Sequence, residues 1–255
     1  MARSSAGKSS LARAVEVLDS FDAGTRDLSV SEIAARCGMA VSTAHRIVTE
    51  LVALGLLERV AERRYCVGLR LWELAVRTPG ALGIREIAKP HLTQAHAILG
   101  QNLQLGILQG AEMLYLERLS APTSVINLIV VGGRIPFHAT SSGLLLAAYT
   151  EPEEQERLAT IPLSPYGRAP MPDPDERRRI FAQARARGYL ITVGYVHPEA
   201  TSIAVPVRDP SGRVVAAINA IIPTDSPHQG RVLEVLKPTS KAITEAMARR
   251  YRGEL

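Results

Sequence analysis

LSVSEIAARCGMAVSTAHRIVTELVALGLLERVAERRYCVG, residues 28–68, reads as two short helices joined by a tight turn and followed by a basic hairpin. Ser29-Val30-Ser31-Glu32 has the form of a capping box: the Ser29 hydroxyl accepts from the amide of Glu32, and the Glu32 carboxylate reaches back to the amide of Ser29. A helix should therefore start there. Ile33, Ala34 and Cys37 fall one turn apart on one face, and Gly38 supplies the left-handed backbone at which the chain can stop and turn. A second pattern follows in Val41, Ala44, Ile47, Val48, Leu51 and Leu54, with Gly55 as its stop. Its opposite face carries Ser42, Thr43, His45, Arg46 and Thr49. Small hydroxyls, an imidazole and a guanidinium near a helix start are the groups that reach base edges and phosphates in a major groove. Residues 56–60 and 64–67 alternate like two short strands around Ala61, Glu62 and Arg63, making a wing tipped by Arg63 and Arg64 that suits the flanking backbone or minor groove. Each piece alone is common. In this order they predict a winged helix-turn-helix with double-stranded DNA as its partner, in preference to the same module reused for protein contact.

The 255 residues allow one large domain or two smaller ones, and the organisation favours two. The first fifteen residues hold Arg3, Lys8 and Arg13 and no acid, which predicts a mobile basic arm leading into a helix whose Leu11, Val15, Leu18 and Phe21 face inward. Arg13, Arg63 and Arg64 would then lie on phosphates. The formal net charge of +5 fits an anionic partner, although the basic residues are spread widely. No apolar run is long enough to span a bilayer and the N-terminus lacks a secretion signal's apolar core, so a cytoplasmic protein without a membrane partner is expected. Cys37 and Cys66 are the only cysteines, each where a small apolar residue would serve. Buried free thiols are the expectation, rather than a redox or metal role, and no cofactor is implied.

Residues 69–76 continue helically, with Leu69, Trp72 and Val76 on one stripe that Pro79-Gly80 breaks. That stripe has no obvious partner inside a small winged domain, so it is expected to help pair two chains over a two-fold operator. Beyond it, 82–99 reads as a helix interrupted by Pro90, and the period then changes to two. Strands are expected over 102–109 and 113–119 around Gly110-Ala111-Glu112, a buried strand over 125–131, and strands over 203–207 and 213–222. Helices are expected over 141–149, 172–187 and 232–251. The result is an α+β chain: a winged helix-turn-helix over 1–68, a linker helix over 69–80, and an antiparallel sheet flanked by helices over 81–255.

Two polar residues interrupt the apolar strands of that last part. Asn219 lies within Val214-Val215-Ala216-Ala217-Ile218-Asn219-Ala220-Ile221-Ile222, and Ser202 directly precedes Ile203-Ala204-Val205. Either they bond to neighbouring backbone or they line a pocket and hold a ligand. Thr140, Ser141, Ser142 and Gly143 favour the second reading: they open a helix whose free amides and positive dipole end could cradle a carboxylate, making a small organic acid the natural guest.

Taken together the residues resemble the IclR family of bacterial transcription regulators over nearly the whole chain. The match runs through Ser10-Leu11-Ala12-Arg13-Ala14, Ser42-Thr43-Ala44-His45-Arg46, Leu54-Gly55-Leu56-Leu57-Glu58 and Tyr65-Cys66-Val67-Gly68-Leu69. It continues in Ala88-Lys89-Pro90, Tyr115-Leu116-Glu117-Arg118, Arg134-Ile135-Pro136-Phe137-His138-Ala139-Thr140, Gly188-Tyr189 and Ile203-Ala204-Val205-Pro206-Val207. The resemblance implies a GAF-like C-terminal domain that binds a small metabolite and alters operator binding, in dimers often paired into tetramers. Ile126-Asn127-Leu128, Thr140-Ser141-Ser142-Gly143, Ser202-Ile203-Ala204-Val205-Pro206 and Ala217-Ile218-Asn219 look most like the branch that senses protocatechuate and 4-hydroxybenzoate. One departure stands out. Where the family has an acidic segment and then a glycine after Gly188-Tyr189, this chain has Gly194-Tyr195-Val196-His197-Pro198-Glu199. Since this loop helps enclose the ligand in relatives, the resemblance implies either a different effector or a degenerate pocket; Tyr195 and His197 are candidate effector contacts, with His197 either a cation for an acid or a surface-loop histidine.

Enzyme signatures are missing: there is no G-x-S-x-G elbow, H-E-x-x-H, P-loop or clustered cysteine set, and His91 and His96 are spaced off one helical face. The expected function is a DNA-binding transcriptional regulator modulated by a small organic acid. The alternative is a ligand-independent DNA-binding repressor whose C-terminal half only oligomerises.

Overall fold

The apolar side chains gather in two units, Met1–Pro79 and Gly80–Leu255. The computed structural model describes residues 8–22, 25–75, 77, 81–121, 129–227 and 229–252.

In the first unit, helix α1 (Ser10–Asp19) starts at Ser9, whose hydroxyl accepts from the amide of Ala12 at 3.1 Å. Its buried side is Val17, with Ala14, Leu18 and Phe21 packed partly beside it. Leu11 and Val15 are 74% and 47% exposed, so the expected inward face is corrected. Two apolar stripes compete on this helix, and the one that meets the helix over 41–53 runs through positions 14, 17, 18 and 21. Lys8 forms an ion pair with Glu16, whereas Arg3 and the rest of the expected arm lie outside the described residues.

A two-residue strand β1 (Leu28–Ser29) leads into α2 (Val30–Cys37), and the capping box is complete: Ser29 N donates to Glu32 Oε2 at 2.7 Å and Glu32 N to Ser29 Oγ at 3.3 Å. The Ser29 amide, and the Ser29 hydroxyl at 2.8 Å, both donate to the Glu32 carboxylate and hold it below its usual range. Gly38 ends α2 at φ 61°. Helix α3 (Val41–Ala53) buries Ala44, Ile47, Val48 and Leu51, the last three in one core with Val17, Leu28, Ile33 and Leu57. Leu54, expected on that stripe, falls in the cap after the helix and is 60% exposed. Strands β2 (Leu57–Ala61) and β3 (Arg64–Val67) form the hairpin, and β1 joins it to give the order β1-β3-β2. A Cβ on Gly68 would stand 2.2 Å from the Gly55 carbonyl oxygen; only a glycine lets the end of the wing close on the turn after α3. Helix α4 (Leu69–Ala75) follows, its first amide bonded to Glu58 Oε1 at 2.8 Å, with Leu69 and Trp72 exposed. Val76 and residues 78–80 of the expected linker lie outside the described residues. Cys37 and Cys66 are free and half-buried rather than buried, and that burial pushes both thiols up.

The second unit begins with α5 (Ala81–Leu99), which runs unbroken through Pro90. Its stripe of Ile84, Ala88, Leu92 and Ala95 is buried on both sides of the proline, so packing outweighs the one helical hydrogen bond that proline cannot donate. Strands β4 (Asn102–Gln109) and β5 (Glu112–Leu119) form a hairpin. Next come β6 (Arg134–Pro136), a 3-10 turn (Phe137–Ala139), α6 (Ser141–Ala147), α7 (Pro152–Thr160) and α8 (Pro174–Arg187). Strands β7 (Leu190–Val193), β8 (Ala200–Arg208) and β9 (Val214–Pro223) and helix α9 (Gln229–Tyr251) complete it. The sheet order is β6-β5-β4-β9-β8-β7, with every neighbouring pair antiparallel. On one face α5 and α9 cover Leu103, Leu105, Val205 and Ile218. On the other, α6 and α8 pack over Tyr115, Ala204 and Ala217.

The strand expected over 125–131 is corrected in its described part: 129–131 is not strand. Gly132 N bonds the Tyr115 carbonyl at 2.8 Å and Tyr115 N bonds that of Gly133 at 3.1 Å, after which the short β6 pairs with β5. Residues 122–128 lie outside the described residues.

Ser29→Ala should destabilise the first unit by about 1 kcal/mol, the usual value of a serine N-cap. The single tryptophan, Trp72, lies in this unit, so a lowered urea midpoint by its fluorescence is the expected outcome.

Candidate functional sites

Helix α3 turns Ser42, His45 and Arg46 to solvent, opposite its buried stripe, with Thr43 half-buried beside them. Arg46 is held loosely by Glu50 one turn on, at 3.6 Å, and the Thr49 hydroxyl donates to the His45 carbonyl at 2.8 Å. The N-cap is Ala40, which offers no side-chain acceptor to the first amides of α3. The two wing arginines part company. Arg63 is exposed and adopts φ 61°, a left-handed backbone in a residue with a Cβ. Arg64 folds back: its Nε bonds Asp27 Oδ1, its Nη2 donates to the Asp27 carbonyl at 2.9 Å, and its Nη1 lies 3.4 Å from Glu32. That side chain ties the wing to the start of α2. Arg13 sits half-buried on α1.

In the second unit a pocket lies between the inner face of the sheet and the loop after β7, enclosing about 470 Å³ counting its mouth. Its closed end is made by Gln104, Tyr115 and Asn219, each no more than 2% exposed. Its mouth is made by the half-buried loop residues Tyr195, Val196 and His197. Thr140, Thr192 and Ser202 add hydroxyls, and Ile129, Ala139 and Ile221 add apolar wall.

The polar groups beneath the pocket are bonded to one another. Asn219 Nδ2 donates to Gln104 Oε1 and to Ser202 Oγ, both at 3.1 Å, and Asn219 Oδ1 accepts from Ser142 Oγ at 3.1 Å. Ser202 Oγ lies 2.7 Å from Ser141 Oγ. The network thus joins β4, β9, β8 and the start of α6. Of the residues expected around an acid, Thr140, Tyr195, His197, Ser202 and Asn219 line the pocket, whereas Ser141, Ser142 and Gly143 stand behind it. Of the amides in the expected cradle, that of Gly143 is taken by Thr140 Oγ1 at 2.9 Å. Gly143 is there for packing, since a Cβ would stand 2.2 Å from the Phe137 carbonyl oxygen. Gln104 and Tyr115 were missed by sequence reasoning. The available signal was Gln104 itself, a polar residue inside an apolar strand and in register with Asn219.

Burial pushes the phenols of Tyr115 and Tyr195 up, and Tyr115 also shares a hydrogen bond with Thr140. The mouth loop is braced from outside by Arg168 N, which donates to the Tyr195 carbonyl at 2.8 Å. His197 Nδ1 accepts from Glu199 N at 3.4 Å, which leaves the ring proton of a neutral imidazole on Nε2. Among the described residues no three His, Cys, Asp or Glu side chains group as a metal site, and no helix is long and apolar enough to cross a membrane.

Residues 10–61 match the model of the IclR helix-turn-helix domain, and residues 77–245 that of the bacterial transcriptional regulator IclR C-terminal domain. A solved IclR homologue from Microbacterium hydrocarbonoxydans, complexed with 4-hydroxybenzoate, is 39% identical, with a TM-score of 0.86 over 94% of this chain and 99% of that one. The HTH-type transcriptional regulator XynR of Escherichia coli (strain K12) is 28% identical over 93% of this chain and 96% of its own length. The Pca regulon regulatory protein of Pseudomonas putida is 29% identical over 88% and 75%.

Asn219→Ala removes three bonds and leaves Gln104, Ser142 and Ser202 each short of one. A loss of about 1–3 kcal/mol is expected, the ordinary cost of stranded buried polar groups. Hydrogen exchange should show it as lowered protection of β8 and β9.

Proposed function

The chain belongs to the IclR family of bacterial transcriptional regulators, and from that premise we propose that a small aromatic acid in the pocket of its second unit sets its affinity for operator DNA. It is a DNA-binding transcriptional regulator; the ligand and the residue roles are the proposal. The observation that carries it is the pocket itself: apolar walls, a closed end of amides and hydroxyls already bonded together, and a mouth formed by one loop. Such a cavity suits a one-ring guest with few polar groups. Support comes from two relatives, the 39% identical homologue complexed with 4-hydroxybenzoate and the 29% identical regulator of a Pca regulon.

On DNA, Ser42, Thr43, His45 and Arg46 read the major groove, and Arg13 and Arg63 take phosphates. Arg64 serves phosphate binding chiefly by fixing the wing that carries Arg63, through its bonds to Asp27 and Glu32. The exposed Leu69 and Trp72 of α4 pair two chains, so that a homodimer, or a tetramer of two such dimers, presents two recognition helices to a two-fold operator. The acid acts by binding the DNA-competent and incompetent forms unequally, since equal affinity would shift nothing.

Arg46→Ala should weaken operator binding by about 1–3 kcal/mol and relax its sequence preference if Arg46 bonds a guanine. Unchanged affinity and preference in a salt-controlled titration would remove the base contact. Calorimetry with 4-hydroxybenzoate, protocatechuate and short aliphatic acids tests the effector. Heat and a raised melting temperature with an aromatic acid are expected, whereas neither with any acid would make this a ligand-independent repressor.

A further inference from the structure

Of the described residues lining the pocket, His197 alone has a side chain that can take a positive charge. The lining strands and the cap of α6 contribute amides, hydroxyls and hydrocarbon. The other ionisable groups in the wall are the phenols of Tyr115 on β5 and Tyr195 in the loop, both pushed up by burial and therefore neutral. Charged groups nearby are engaged outside the wall. Arg118, in register with Gln104, donates to the Ile129 carbonyl at 2.6 Å and to Ser120 Oγ at 2.8 Å, and Glu176 of α8 acts on Tyr195. On the loop itself Glu199 gives His197 its amide, and its side chain is exposed.

A carboxylate pushed to the closed end would lose its water and meet Asn219, whose two N–H donors are already given to Gln104 and Ser202. At the mouth the same group keeps part of its hydration and meets the Nε2–H of His197. Resting on the effector reading above, we infer that the acid enters neutral end first and leaves a single carboxylate on His197, which selects monoanions and couples their binding to the proton on one imidazole. Proton uptake turns Nδ1 from acceptor to donor, breaking its bond to the Glu199 amide while adding charge toward the ligand. Acid binding is therefore tighter when the imidazole is protonated and weakens as pH rises.

The test is calorimetry on the full chain with 4-hydroxybenzoate, its neutral amide 4-hydroxybenzamide and the dianion terephthalate, at about pH 6 and about pH 8. Over that interval the carboxyl of 4-hydroxybenzoate stays ionised and its phenol stays neutral. Wild type should prefer 4-hydroxybenzoate to the amide about tenfold at the lower pH, lose roughly three- to tenfold of that affinity at the higher, and bind terephthalate more weakly. His197→Gln, which keeps an N–H but no charge, should abolish the pH dependence and narrow the preference. His197→Lys should restore binding at the higher pH. If 4-hydroxybenzoate binds but His197→Gln keeps both the pH dependence and the preference, the inference falls and the effector reading stands. If none of the three ligands gives heat with wild type at either pH, the effector reading falls and takes the inference with it.

Discussion

A side-chain amide buried in the middle of a β-sheet must bond its polar atoms within the protein, because water cannot reach them. Asn219 meets that demand by recruiting one side chain from each side: Gln104 from β4, Ser202 from β8, and Ser142 from the helix above. The rest of the second unit is arranged around those bonds. They fix the register in which Gln104, Asn219 and Ala204 lie abreast, and they draw the start of α6 down onto the sheet. With α6 that close, residue 143 has no room for a Cβ against the Phe137 turn. The pocket is the space left in front of this knot, and its closed end is neutral because the knot is made of amides and hydroxyls.

In the first unit an ionic tie does the corresponding work. Glu32 completes the cap of α2 and also faces Arg64, which bonds Asp27 just before β1. One helix start, one short strand and one wing are thereby tied together by three side chains. The exposed residues Ser42, His45 and Arg46 of α3, proposed to read DNA, take no part in that tie.

The helix-turn-helix was legible because its signals are local. A serine with a glutamate three residues on, a glycine in the left-handed region and a one-sided apolar stripe all act within a single turn of chain. Signals failed where a distant partner decides. Leu11 and Val15 make as good a stripe as Ala14, Val17 and Leu18, and only the position of α3 chooses between them. Pro90 reads as a break unless the continuous burial of Ile84 to Ala95 is known. The three residues of β6 are too few to carry a pattern. In the pocket, residue type identified Asn219 and Ser202, but orientation sorted Thr140 to the front and Ser141, Ser142 and Gly143 to the back. Gln104 was hidden because a lone polar residue in a strand acquires meaning only from the residue opposite it.

The backbone at the tip of the wing sets two selection pressures against each other. Arg63 holds a left-handed conformation that glycine or asparagine adopts at lower cost, a difference of about 1 kcal/mol in many proteins. Directed evolution for heat resistance alone would tend to replace this arginine, whereas the phosphate contact proposed for it would favour keeping it. The residue found at position 63 in a set of thermophilic and mesophilic relatives therefore becomes a gauge of which pressure shaped each protein.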